Sequence, residues 1–293
     1  MDILLQLMVN GVYAASIYML LGLSWGLIFS TTRVFHIAHG VTYAAGAYFI
    51  SYIADNMGWP LIPAAIASVA LCGLLGAIYE LALYRPLRAR SAGTMVVFVG
   101  SLGAMTLLTP VIVLLFGARV VVLSKVNPRS LHLGSVILTT YQLLAIVVAL
   151  LTIAGFFVYW NLTWGGRTLR AVTSSPDRAR IAGISVGRTY LVAMVLGSGI
   201  AGLAGVLVEA NEGATPDMIL TGALVASAAV LIGGFGSIMG ATIGGLILAM
   251  SMNVGIWKLP SQWQEAIAFA VLLAFIVFRP RGLFGEKLKT TQV

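Results

Sequence analysis

The stretch LIPAAIASVALCGLLGAIYELAL, residues 61–83, holds a single charged residue, Glu80, and that one near its end. At 1.5 Å per residue it makes a helix of about 35 Å, long enough to cross a hydrocarbon core of about 30 Å. Met95–Phe116 and Thr139–Trp160 repeat the pattern, and none of the three alternates polar with apolar residues as a transmembrane β-strand does. The whole chain agrees: 60% of its 293 residues are hydrophobic, 9% are charged and the mean hydropathy is +1.01. Soluble domains run at about 45–50% apolar and 25% charged. The expected fold class is therefore all-α, a polytopic transmembrane helical bundle forming one domain over 1–293.

Further spans are expected at 3–29, 34–54, 189–208 and 264–278. The C-terminal third departs from the pattern. There 218–232 and 241–253 flank GGFGSIMG (233–240), and each gives only about 20 Å of helix. They are short, tilted crossings or a re-entrant pair. Irregular backbone at membrane depth survives only where protein or a water-filled cavity covers it. Two breaks qualify, STTRVFHIAHG (30–40) and 233–240, and interrupted segments of this kind point to a transport pathway. His36, His39, Gly40, Gly233, Gly234, Gly236 and Ser237 are thus pathway candidates. Close packing of small residues, as in GSGIAGLAG (197–205), is the other reading of 233–240.

The formal net charge of +8 is explained by topology. If the segments holding Arg33, Arg85–Arg90, Arg167–Arg188 and Arg279–Lys289 face the cytoplasm, thirteen of the 17 Lys and Arg lie inside, leaving Arg119, Lys125, Arg129 and Lys258 outside. This is the positive-inside asymmetry of a membrane protein, and it needs no nucleic acid. It puts the C-terminus in the cytoplasm and the N-terminus on the outer side. MDILLQLMVNGVYAAS lacks a basic region before its apolar run, so it reads as a retained first helix. The longest outer segment, 117–138, is a candidate contact for an external partner. Asp55, Glu209, Glu212 and Asp217 are expected in outer loops, Asp177 and Glu286 inside, and Glu80 within reach of the inner arginines. A relay of carboxylates at mid-membrane, expected of many proton-driven carriers, is missing.

Enzymatic chemistry finds no footing. No G-x-x-x-x-G-K-[ST] loop is present. His36, His39 and His132 lack the Cys or carboxylate neighbours of a zinc site, no nucleophile sits beside a base, and the lone Cys72 lies in an apolar run as a packing residue. The chain is read as a non-enzyme without cofactor or metal of its own.

One charged stretch asks for a purpose: AVTSSPDRARIAGISVGR, 171–188. Ser175 is a good N-cap, Pro176 fits the first helical position, Asp177 suits the positive helix end and Gly183 the left-handed C-cap. A helix of about two turns follows, on the cytoplasmic side and marginal on its own in water. With Ala179, Ile181 and Ala182 apolar and Arg178 and Arg180 charged, it reads as a segment that docks in another protein's groove; a solvated topology loop is the alternative. Arg85 and Arg88 are a second cytoplasmic contact or a topology signal.

Six segments, in order, carry a resemblance: RVFHIAHGVTYAAGAY (33–48), ELALYRPLRAR (80–90), GRTLRAVTSSPDRARIAGISVGR (166–188), GIAGLAGVL (199–207), VLIGGFGSIMGATIGG (230–245) and FRPRGLFG (278–285). The chain resembles the LivH-like permease subunits of bacterial ABC importers of the branched-chain amino acid type. The resemblance implies a LivM-like second permease, two cytoplasmic ABC ATPases carrying ATP and Mg and docked on 175–183 within a coupling loop 164–188, and a periplasmic substrate-binding protein. It also implies residence in the bacterial inner membrane. The family form N-F-A-H-G followed by an acidic residue reads His36, Ile37, Ala38, His39, Gly40 and Val41 here, and a family glutamate aligns with Met252, beside Asn253. Asn253 joins the pathway candidates. With two carboxylates absent, a less negative pathway would admit an anion more easily. Branched-chain amino acids are the expected cargo, a carboxylate, urea or amide solute the alternative, and a self-sufficient carrier or channel the rival class.

Overall fold

A computed structural model describes residues 2–125, 129–133 and 136–285; Glu286, Lys287 and Lys289 of the basic tail lie outside the described residues. The elements in chain order are α1 (Asp2–Thr32), α2 (His39–Ser51, prolonged by a π-turn at Tyr52–Asn56), α3 (Leu61–Ile78, prolonged by a π-helical turn at Tyr79–Tyr84) and α4 (Arg85–Ala89). Next come α5 (Thr94–Phe116), the strands β1 (Ser130–Leu133) and β2 (Val136–Thr139), α6 (Thr140–Leu162), α7 (Trp164–Ser174) and α8 (Pro176–Ile181). The chain continues as α9 (Val186–Glu212), α10 (Met218–Gly233), α11 (Ile238–Gly255) and α12 (Gln264–Phe278). Among the described residues, seven helices are long and apolar enough to cross a membrane, and α10 is a shorter apolar one. The polytopic helical bundle expected from the apolar runs is present.

Lipid tails are as apolar as leucine, so helices associate in a membrane through close backbone approach at small residues. That rule selects the core. Gly46 of α2 meets Gly202 of α9, and Gly205 of α9 lies against the Tyr43 backbone. Helix α1 runs antiparallel to α11, with Gly11 beside Met250 and Asn253, Gly245 against Tyr18, and Gly26 on Ile238 and Ala241. Helices α1, α2, α9, α10 and α11 therefore form the buried centre, whereas α12 has no buried residue and α3, α5 and α6 keep broad apolar faces outward.

In the C-terminal third, α10 and α11 are two short antiparallel helices packed on each other. The turn between α10 and α11 sits on the side of Arg33 and of the segment after α12: Leu283 N donates to the Ile232 carbonyl and Phe284 N to the Gly233 carbonyl, both at 2.9 Å. At its other end α10 follows Ala214, which pairs with Val121 of the outer segment. Helix α11 starts at Ile238 rather than 241 because the Ser237 hydroxyl caps it, accepting from Gly240 N at 3.0 Å.

Three details differ from the sequence reading. Glu209 and Glu212 belong to the last turn of α9 rather than to a loop, since apolar neighbours carry the helix past them. Glu209 is buried and accepts from the Ser51 hydroxyl of α2. The outer segment holds an antiparallel ribbon, β1 with β2, and its described part is tied down: the Asp55 carboxylate accepts from Ser124 N and Oγ at 2.8 and 2.7 Å. On the inner side, 164–174 is helical where a loop was expected, because Thr163 caps it by accepting from Gly166 N.

Glu80 is 1% exposed and paired with Arg88, whose guanidinium also stacks over Tyr190 at 4.6 Å. Arg88→Ala leaves that buried carboxylate without its partner. The expected loss is about 2 kcal/mol, below the figure for a fully buried pair because Arg88 is 27% exposed. It is read as a lower melting temperature in detergent, and adding Glu80→Gln should restore most of it.

Candidate functional site

Two places concentrate polar chemistry, one at each end of the bundle. At the inner end, α8 is held by its caps. Ser175 Oγ accepts from Arg178 N, Pro176 occupies the first turn, and Gly183 adopts φ +80°, where a side chain would be strained. Ile184 N closes the turn on the Ala179 carbonyl at 2.9 Å. Ala179 is buried with Val172 of α7 and Val186 of α9, which fixes the little helix to the bundle. Ile181, by contrast, is 88% exposed, with Arg178, Arg180 and Ala182 exposed around it and Arg180 3.5 Å from Asp177. These residues leave one face of α8 bare. Arg85 is exposed nearby, whereas Arg88 is engaged with Glu80.

Helix α7 was missed from sequence, although Gly166, Leu169 and Val172 recur at three-residue spacing and all are buried. It ties α8 to the bundle core. Arg33 Nη2 donates to the Thr173 carbonyl at 3.3 Å, and the hydroxyls of Thr31 and Thr173 lie 3.3 Å apart.

The break between α1 and α2 is a packed junction. His36 Nδ1 lies 2.6 Å from the Tyr84 hydroxyl and His39 Nε2 2.9 Å from Ser24 Oγ, both rings fully buried. Trp25 Nε1 donates to the His36 carbonyl at 2.9 Å, and Ala38 N to Ser101 Oγ at 3.2 Å. Gly40 lies against the backbone of Ile219 in α10. Gly233, Gly234, Gly236 and Ser237 form the α10–α11 turn, where Gly234 abuts the 281–285 backbone.

At the outer end, α1, α2, α6, α9, α10, α11 and α12 line a cavity of about 550 Å³. Its apolar wall includes Ile17, Leu21, Val225 and Met252. Its polar wall includes Tyr13, Tyr18, Tyr43 and Asn211 together with the carboxylates Glu212, Asp217 and Glu265. Among the described residues, no lysine or arginine lines it. Of the pathway candidates, Asn253 is on this wall; His36, His39 and Gly40, and Gly233, Gly234, Gly236 and Ser237 of the turn, are elsewhere. Of the two positions lacking a family carboxylate, Met252 lines the cavity and Val41 is buried in the core.

A membrane bundle built on glycine contacts, with a short braced helix at one end and a polar cavity at the other, is a transport protein in architecture. The chain belongs to the family described as "Branched-chain amino acid transport system / permease component", whose model matches residues 7–276. It is 26% identical over 297 residues to the high-affinity branched-chain amino acid transport system permease protein BraD of Pseudomonas aeruginosa, covering 96% of each chain. It is likewise 26% identical to the corresponding protein LivH of Escherichia coli K12, again over 96% of each. The fold is similar to that of PsaBC from Streptococcus pneumoniae in complex with Fab, with a TM-score of 0.53, 12% identity and 93% and 91% of the two chains covered.

Proposed function

We propose that this chain is the translocating subunit of an ATP-driven importer that carries branched-chain amino acids from periplasm to cytoplasm across a bacterial inner membrane. The family match over residues 7–276 supports this reading most directly. In it the outer cavity faces the periplasm and receives solute from a binding protein. The N-terminus is periplasmic and the C-terminus cytoplasmic, in line with the positive-inside distribution. Two cytoplasmic ATPases, which hold ATP and Mg, dock on Ser175–Gly183, with Arg178, Arg180 and Ile181 as contacts. A second permease of the LivM type completes the pathway, and closure of the ATPases moves the bundle between outward and inward openings.

The test is reconstitution in liposomes with the second permease and the ATPases, following labelled leucine with the binding protein present. Uptake is expected only with ATP and only when the ATPases are included. Equal leucine flux from the chain alone would replace this reading with that of a self-sufficient carrier.

A further inference from the structure

Around the outer cavity the charge is one-sided. Glu212 comes from the end of α9, Asp217 from the loop before α10 and Glu265 from the first turn of α12, and all three are exposed on its wall. By themselves these carboxylates show only that the mouth is wet. Tyr13 adds a second observation. It lines the same cavity, is only 5% exposed, and its hydroxyl is buried without a hydrogen-bond partner among the described residues. An orphaned buried hydroxyl is uncommon in a folded protein, and one set in a cavity wall is open to a partner from the cavity, water or solute. Beneath these groups lies the apolar surface of Ile17, Leu21, Val225 and Met252.

We propose that this cavity is a solute subsite selective for a protonated nitrogen attached to a small apolar body, an assignment that calls the ligand cargo only because it rests on the importer reading. An ammonium offers three N–H donors and no acceptor, which matches carboxylates, carboxamide oxygens and a phenol oxygen. Its hydrogen bonds to carboxylate are charge-assisted and stronger than neutral ones. A carboxylate solute would meet three like charges and, among the described residues, no cation, so an anion, which the two absent family carboxylates would make easier to pass, is the least favoured ligand. Met252 does stand bare, but Glu212 and Glu265 make the wall negative. The alkyl part rests on the apolar floor. For an amino acid, the carboxylate has no basic partner on this wall and stays toward the open mouth.

Three probes share one carbon skeleton and differ in charge: 3-methylbutylamine, 3-methylbutanol and 3-methylbutanoate. Their binding is measured by calorimetry on the full chain in lipid nanodiscs. The amine is expected to bind at least tenfold more tightly than the alcohol, with the carboxylate weakest. Glu212→Gln and Glu265→Gln should each weaken the amine by about tenfold, and Tyr13→Phe by severalfold, without lowering the melting temperature. Carboxylate binding as tight as the amine's, or amine binding indifferent to both Gln variants, overturns the assignment. Amine binding as expected without ATP-driven uptake in the reconstituted complex removes the importer reading and leaves the subsite standing. ATP-driven leucine uptake without amine binding does the reverse.

Discussion

Ile181→Asp combined with Arg178→Glu is expected to abolish ATP-driven uptake while leaving the protein folded. Ile181 is 88% exposed and Arg178 is exposed, so neither substitution disturbs the packing that holds α8, which rests on Ala179, Val172 and Val186. Surface changes of this kind usually stay within about 0.5 kcal/mol of the parent stability. In a docked complex the balance differs. Burying an isoleucine contributes about 2 kcal/mol, and interface anchors cost about 2–4 kcal/mol when truncated. Placing a carboxylate in the groove adds desolvation, and Arg178→Glu reverses the local charge. Together the pair should weaken ATPase binding by roughly 10²–10³-fold. The check is the affinity of the ATPases for the purified chain beside leucine uptake, with the melting temperature as control. Undiminished uptake would mean that 171–188 serves only as a solvated topology segment.

Gly205→Val is expected to prevent assembly of the bundle. A Cβ at Gly205 would collide with the Tyr43 carbonyl and crowd the Ala47 backbone. Backbone cannot rotate away as a side-chain tip can, so α2 and α9 would have to separate. Overpacking typically costs about 1–3 kcal/mol, and a backbone clash belongs at or beyond the upper end. The loss spreads because Gly46 and Gly202 share the same seam. Gly155→Ala in α6 is the counterpart. A Cβ there meets nothing within 4 Å, and helix propensity favours alanine over glycine by about 1 kcal/mol. Folded yield from membranes and melting in detergent should fall sharply for the first and hold or rise for the second. Equal behaviour would show that these seams do not govern stability.

The spans were legible because twenty apolar residues in a row have few other uses, and the caps of α8 because Ser175, Pro176 and Gly183 are local signals. Which face of each helix points inward was not. Outside a membrane helix lies lipid rather than water, so an apolar face marks neither core nor surface. The glycines hold the answer only in pairs, such as Gly46 with Gly202, and their partners are far apart in sequence. The cavity was hidden for the same reason. Tyr13, Glu212 and Glu265 come from three distant helices, and Glu212 looked like loop until α9 was seen to continue through it. The histidines drew attention as polar residues at a break, but a partner such as Tyr84, 48 positions away from His36, can be found only in three dimensions.

Helix α1 runs unbroken for 31 residues, about 46 Å. Near one end Arg33 and Thr31 hold the Thr173 backbone and side chain of α7; toward the other, Tyr13, Ile17 and Leu21 form part of the cavity wall. It is a lever arm with no joint between grip and tip. Tilting that rod by about 5° at its Arg33 end moves Tyr13, about 30 Å away along the axis, through about 2.6 Å. A small tilt at the α7 end would therefore change the width of the cavity at the other.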